Sequence, residues 1–197
     1  PALDSGEKRS ITIRHLLTHT AGLMEWYPLY YRSSDRQSTY RLIAQLPLKY
    51  AVGKERHYSD LGFTLLGQLI ETVSGQGLDE FLREKIFRPL GMNHTLYNPK
   101  ASGQAFAYAA TSAGNPYEKR MVHDSSLGFT FKEIDPDQWN NWRMYRLQGE
   151  VNDGNAWYAG GGVSGAAGLF STANDLQLLV DLLLSEGSKK GHQLISG

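Results

Sequence analysis

Tyr58-Ser59-Asp60 stands directly before the run Leu61-Gly-Phe-Thr-Leu-Leu-Gly-Gln-Leu-Ile-Glu-Thr-Val-Ser-Gly75, so a phenol and a carboxylate meet at the mouth of a predicted helix. That pairing suits proton transfer in acyl chemistry, where one group must take a proton from a nucleophile and return it to a leaving group. A free tyrosine titrates near 10, so the base role needs a cation to lower its pKa. The plainer alternative is a helix start, with Ser59 or Asp60 as the cap and the acidic charge favoured by the helix dipole.

Other patterns compete for a chemical role. Ser5-Gly6-Glu7-Lys8 has the serine–lysine spacing that puts both side chains on one helical face. It lies among glycine and charged residues with no apolar run after it, so a solvated turn is the better reading. His15 and His19 are spaced i, i+4 and share a face if one helix carries both, as zinc ligands would. A metalloprotease helix would place glutamate after the first histidine, but Leu16 is there. Without cysteine or an evident third ligand, histidines bonded to backbone are favoured, and no metal or other cofactor is assigned. Gly160-Gly-Gly-Val-Ser-Gly165 has the letters of a dinucleotide loop. Such a loop needs a buried strand before it, and Asn152-Asp-Gly-Asn-Ala-Trp-Tyr158 is polar and turn-like.

The elements that must position these residues are mostly helical. Ser10 or Thr12 caps a short helix through Leu17, stopped by Ala21-Gly22. A second helix is predicted from about Asp35 to Gln45, with Tyr40, Leu42, Ile43 and Leu46 inward and Pro47 ending it. A loop over 47–57 delivers Tyr58. The third helix follows the 3.6-residue period through Leu61, Leu65, Leu66, Leu69, Ile70 and Val73 and stops at Ser74-Gly75. A fourth runs from Leu78 to Phe87, burying Leu78, Phe81, Leu82 and Ile86, and Pro89 closes it. From Tyr97 to Trp157 the pattern dissolves into loops, too long a stretch for a plain connection. After a glycine-rich turn over 160–168, a last helix from about Ala173 to Ser185 carries the stripe Leu176, Leu179, Val180, Leu183 and Leu184, with Thr172 and Asp175 as a capping box.

The chain has 197 residues, 41% apolar and 20% charged, enough for a substantial core. Lysine plus arginine number 20 and aspartate plus glutamate number 20, so no net field favours nucleic acid or a membrane surface. Zero cysteines exclude disulfides and thiolate chemistry and leave the compartment open. No apolar run reaches the roughly 18–20 residues of a membrane span. Pro1–Ser10 lacks the apolar core of a signal peptide and reads as a loop joined mid-chain, and the segment from Gly191 ends without a cap.

Tyr58-Ser-Asp60, Ile11-Thr-Ile-Arg-His-Leu-Leu-Thr-His-Thr-Ala-Gly-Leu23, Arg88-Pro-Leu-Gly-Met-Asn-His-Thr95 and Gly162-Val-Ser-Gly-Ala-Ala-Gly-Leu-Phe-Ser-Thr-Ala173 together resemble the serine β-lactamase/penicillin-binding-protein family, with class C β-lactamases, DD-peptidases and esterases as relatives. The resemblance implies a mainly α chain: the helical region of the β-lactamase/DD-peptidase-like fold with long loops, its α/β half largely missing. Residues 1–197 are then one region, with helices and the Tyr-x-Asp box over 1–96, long loops over 97–172 and a final helix over 173–186. Tyr58 is implied as general base and acid toward a serine, and Asp60 as partner of a lysine and of the substrate's polar arm. Ser59, Asp153 and Asn155 are implied on the substrate side. In such proteins the Ser-x-x-Lys box precedes a segment like Ile11–Leu23, which here places it before Pro1, and a Lys/His-Thr-Gly box is also absent; His19-Thr-Ala-Gly22 has one residue too many. Asn152 stands where a Val-His-Asp-x-Asn-Ala pattern has histidine, and Ala166 replaces another. The implied activity is hydrolysis of an amide or ester (a β-lactam, a D-alanyl peptide or an ester) through a serine acyl-enzyme, absent from this chain alone. The alternative is a non-catalytic domain of that descent binding a ligand or partner. Partners are a small-molecule substrate in the intact protein and, through an exposed apolar face, a second copy.

Overall fold

A computed structural model describes residues 3, 6–103, 107–189 and 192–195. Ser5 therefore lies outside the described residues, while Lys8 gives its ammonium to the carbonyls of Ala44 and Leu46.

Side-chain capping starts the first three α-helices and the last. Thr12 opens α1 (Ile13–Leu17) by accepting the His15 amide, and the His15 ring returns the bond to the Thr12 amide. Asp35 and Ser38 form the same reciprocal pair at α2 (Arg36–Gln45). Ser59 caps α3 (Asp60–Ser74), and Gly75 ends it in the left-handed conformation at φ 70°. Leu16, Leu23, Tyr27, Leu29, Ile43, Leu61 and Leu65 bury themselves between these three helices as the principal core. Glu71 fastens α3 to its neighbours, accepting Arg36 at 2.6 Å, the Tyr40 hydroxyl at 3.0 Å and the Leu78 amide at 3.1 Å.

Several expectations change at this level. Instead of one helix from Leu78 to Phe87, α4 (Leu78–Leu82) passes into a π-helical turn over Arg83–Phe87 and then α5 (Arg88–Leu90). The wider turn rotates Phe87 into a cluster with Leu90, Met92 and Leu182. Pro89 falls in the first turn of α5, where its missing N–H costs nothing. Val73 does not pack inward but is 81% exposed, because α3 outruns the core.

The stretch after Tyr97 is not all loop. Between β1 (Leu96–Tyr97) and β4 (Leu169–Phe170), which flank it, lie β2 (Ala110–Ser112), α6 (Pro116–His123) and β3 (Leu147–Gln148). The strands pair antiparallel as β1 with β4 and β2 with β3. A second core of Trp26, Tyr30, Met121 and Trp142, with Trp139 and Tyr158 against it, holds this stretch down by edge-to-face ring contacts.

The last helix, α7 (Ala173–Leu184), is capped by Thr172 and followed by the short pair β5 (Ser188–Lys189) and β6 (His192–Gln193). It turns a different face inward than expected. Leu182 is buried, with Leu178 and Leu179 packed beside it, while Leu176, Val180, Leu183 and Leu184 are exposed. The helix is apolar on two sides, and the described residues supply neighbours for one.

Candidate active site

The 47–57 loop hands the chain to α3 at Tyr58, a residue that is 65% exposed. The next two residues are fixed from below: Ser59 donates its hydroxyl to the Met24 carbonyl at 2.7 Å, and the Asp60 amide donates to the Glu25 carbonyl at 3.0 Å. Ser59 is 4% exposed, and its hydroxyl also accepts the Gly62 amide, so it serves as the helix cap and is turned away from solvent. Asp60 projects from the first turn of α3 beside the Tyr58 phenol.

The electrostatics here are one-sided. The Asp60 charge, then burial and a hydrogen bond to Asp60, then the Asp153 charge, push the Tyr58 phenol above its ordinary range. Burial raises Asp60 in turn, against the hydrogen bond from Tyr58. Asp153 is pushed up to about 6 by burial, with the Asp60 charge adding to it, although the Ala156 amide bonds its carboxylate at 2.7 Å. Tyr58, Asp60 and Asp153 are thus brought within electrostatic reach of one another. Asn155 is engaged elsewhere, donating from its amide to the Tyr27 carbonyl at 2.9 Å and accepting the Leu29 amide at 2.8 Å. It is a strut between the loop and the chain before α2.

Two residues that local sequence did not suggest complete the surroundings. Glu118 of α6 accepts the Gly154 amide at 2.7 Å and the Tyr30 hydroxyl at 3.3 Å, and burial followed by the Asp153 charge pushes it up to about 7. Buried Arg143 donates to Asn115 at 2.9 Å, to the Val151 carbonyl at 2.7 Å and to the Asn152 carbonyl at 2.8 Å, fixing the loop that carries Asp153. A cavity of about 240 Å³ opens between Ser112, Asn115, Glu118, Asn152 and Asp153.

The glycine-rich segment approaches the same helix. A side chain at Gly165 would meet the Phe63 carbonyl at 2.1 Å, so only glycine lets this loop lie on α3. A π-helical turn, Asn155–Ala159, precedes it in place of a strand. His15 and His19 do not share a helix face, because α1 ends at Leu17: the first ring turns to the Thr12 amide and the second to Tyr58. Among the described residues, no three His, Asp or Glu side chains converge as a metal site would require.

The arrangement can present a protonated phenol to an open surface, with carboxylates behind it. It can donate a proton as it stands. It can accept one only beside a cation.

Comparison with known proteins places this geometry in context. The family model described as Beta-lactamase matches residues 1–195. An N-acetylmuramyl-L-alanine amidase of Bacillus subtilis (strain 168) is 35% identical over 195 residues, 95% of this chain and 41% of the relative. An Escherichia coli (strain K12) protein named "Putative D-alanyl-D-alanine carboxypeptidase" is 35% identical over 199 residues, 96% of this chain and 42% of its own length. The crystal structure of a penicillin-binding-protein homologue from Caulobacter crescentus superposes with a TM-score of 0.61 at 21% identity, covering 100% of this chain and 49% of that one. The chain spans less than half the length of each.

Proposed function

This chain belongs to the beta-lactamase family, and we propose that it is the helical portion of a serine hydrolase acting on an amide or ester, inactive by itself. The observation that carries the reading is the exposed Tyr58 phenol with Asp60 beside it at the start of α3. In the complete site Tyr58 would take the proton from a serine hydroxyl as that oxygen attacks the carbonyl, then return it to the leaving amine or alcohol. Water would cleave the resulting serine ester by the reverse proton path. A lysine beside the serine would offset the carboxylates that now hold the phenol protonated. The amidase and carboxypeptidase names of the relatives favour D-alanyl or muramyl peptides and related amides as the substrate class.

The test is hydrolysis by the protein that contains this chain in its native sequence context, assayed on nitrocefin, a D-alanyl-D-alanine peptide and a p-nitrophenyl ester. Tyr58→Phe should lower kcat by about 10²–10⁴-fold with KM little changed. Residues 1–197 alone should give no turnover above background. Full kcat in Tyr58→Phe would leave the non-catalytic, ligand-binding reading in its place. Turnover by residues 1–197 that survives Ser5→Ala and Lys8→Ala would put the nucleophile elsewhere.

A further inference from the structure

His19 follows α1 in the left-handed region, at φ 58°, which a side chain larger than glycine rarely adopts without compensation. The compensation is spread over three consecutive residues of the segment that carries the candidate phenol. The His19 carbonyl accepts the His57 amide at 2.9 Å. Its ring lies 4.6 Å from the Tyr58 ring, tilted by 37°. Its Nδ1 accepts the Ser59 amide at 3.1 Å. Phe63, one turn along α3, stacks on the ring at 4.9 Å and 25°.

Because Nδ1 accepts a hydrogen bond, the ring proton of the neutral imidazole sits on Nε2. Protonating Nδ1 would turn an acceptor into a donor facing the Ser59 N–H. We propose that His19 is a positioning residue for Tyr58, whose neutral, Nε2-protonated ring clamps residues 57–59 and fixes the direction of the phenol. The catalytic consequence rests on Tyr58 being the proton carrier; the positioning itself does not. Burial and the Arg56 charge both favour the neutral ring, and so does the acceptor role of Nδ1 toward the Ser59 amide. The other ionisable groups around this contact are Tyr58, which the carboxylates keep protonated, Asp60 and Asp153, whose charges act on it, and His57 of the clamped segment, whose ring lies 3.8 Å from Glu25 and 3.0 Å from Glu55.

The test is proton NMR of ring-labelled tyrosine in residues 1–197, with the Tyr58 signals assigned by their disappearance in Tyr58→Phe. Asparagine tolerates the left-handed backbone and keeps an acceptor for the Ser59 amide, but has no ring. His19→Asn should therefore abolish most of the Tyr58 ring-current shift. In the otherwise wild-type chain, lowering the pH should move the Tyr58 signals with the same midpoint as the His19 ring signals. The midpoint should persist in Asp60→Asn, where that carboxylate cannot contribute. Tyr58 signals indifferent to imidazole protonation in both backgrounds would overturn the inference, and this holds even if His19→Asn fails to fold. Tyr58 coupled to His19, but with Tyr58→Phe leaving hydrolysis intact, would keep the positioning and remove the proposed function.

Discussion

A phenol gives up its proton where the resulting charge is welcome, and Tyr58 has carboxylates for neighbours. The Asp60 charge is the largest contribution holding the phenol above its ordinary value, and Asp153 adds to it. Removing the nearer charge while keeping the side-chain shape should reverse much of that. Asp60→Asn is therefore expected to lower the Tyr58 pKa toward 10, read by ultraviolet difference titration against Tyr58→Phe in each background. An unchanged Tyr58 titration in Asp60→Asn would mean that burial dominates and that the Tyr–Asp adjacency is only a helix start. Restoring a serine–lysine segment should lower the phenol further, since a cation within about 4–6 Å favours the phenolate.

Among elements, the loop over 151–155 and α6 are joined through Glu118, and that join is sensitive to pH. Glu118 rises from 4.5 to about 7 in the folded chain, so the folded state holds its proton more tightly than the unfolded state does. A raised carboxylate stabilises the fold fully below its unfolded value, and the stabilisation is lost as pH climbs through the folded one. The loss between 4.5 and about 7 should amount to about 1–3 kcal/mol. Asp153, raised to about 6, adds a loss of the same sign. Glu118→Gln keeps an acceptor for the Gly154 amide, so urea unfolding should show a flatter pH profile across that window and a more stable chain at its upper end. A steeper profile would reverse the sign assigned here. The same join shows what sequence can and cannot disclose. α3 was legible because its cap, its apolar period and its stop are all local: Ser59, then Leu61 and Leu65, then Gly75. α6 was not, because only Met121 among its residues is buried and its role is set by Gly154, 36 residues away. Tyr58 and Asp60 were legible as neighbours in the chain. Glu118, Arg143 and the part played by His19 depend on contacts across tens of residues, which no short motif records.

At the scale of the whole molecule, the accessible surface of 11407 Å² exceeds the roughly 9300 Å² expected of a compact monomer of 22.0 kDa. Part of that excess is apolar and lies in one row. Leu176, Val180, Leu183 and Leu184 on α7 are exposed by 47, 46, 62 and 79%, at the i, i+4, i+7, i+8 spacing of a packing face. In the proposed reading this is where the remainder of the hydrolase would lie. In residues 1–197 alone it faces water. Burying what remains exposed of these four side chains on both of two copies is worth about 7–14 kcal/mol. Association costs about 4–15 kcal/mol. Pairing of two copies is therefore near balance, whereas a small apolar dye meets little of that cost. We expect strong binding of a naphthalene-sulfonate dye and weak, concentration-dependent dimerisation by sedimentation. Leu183→Glu with Leu184→Lys should abolish both while leaving helix content unchanged, since neither side chain belongs to the Leu182 cluster. A chain that stays monomeric and dye-silent with both leucines in place would show that the stripe needs no cover, and would favour a self-sufficient binding domain over a portion of a larger enzyme.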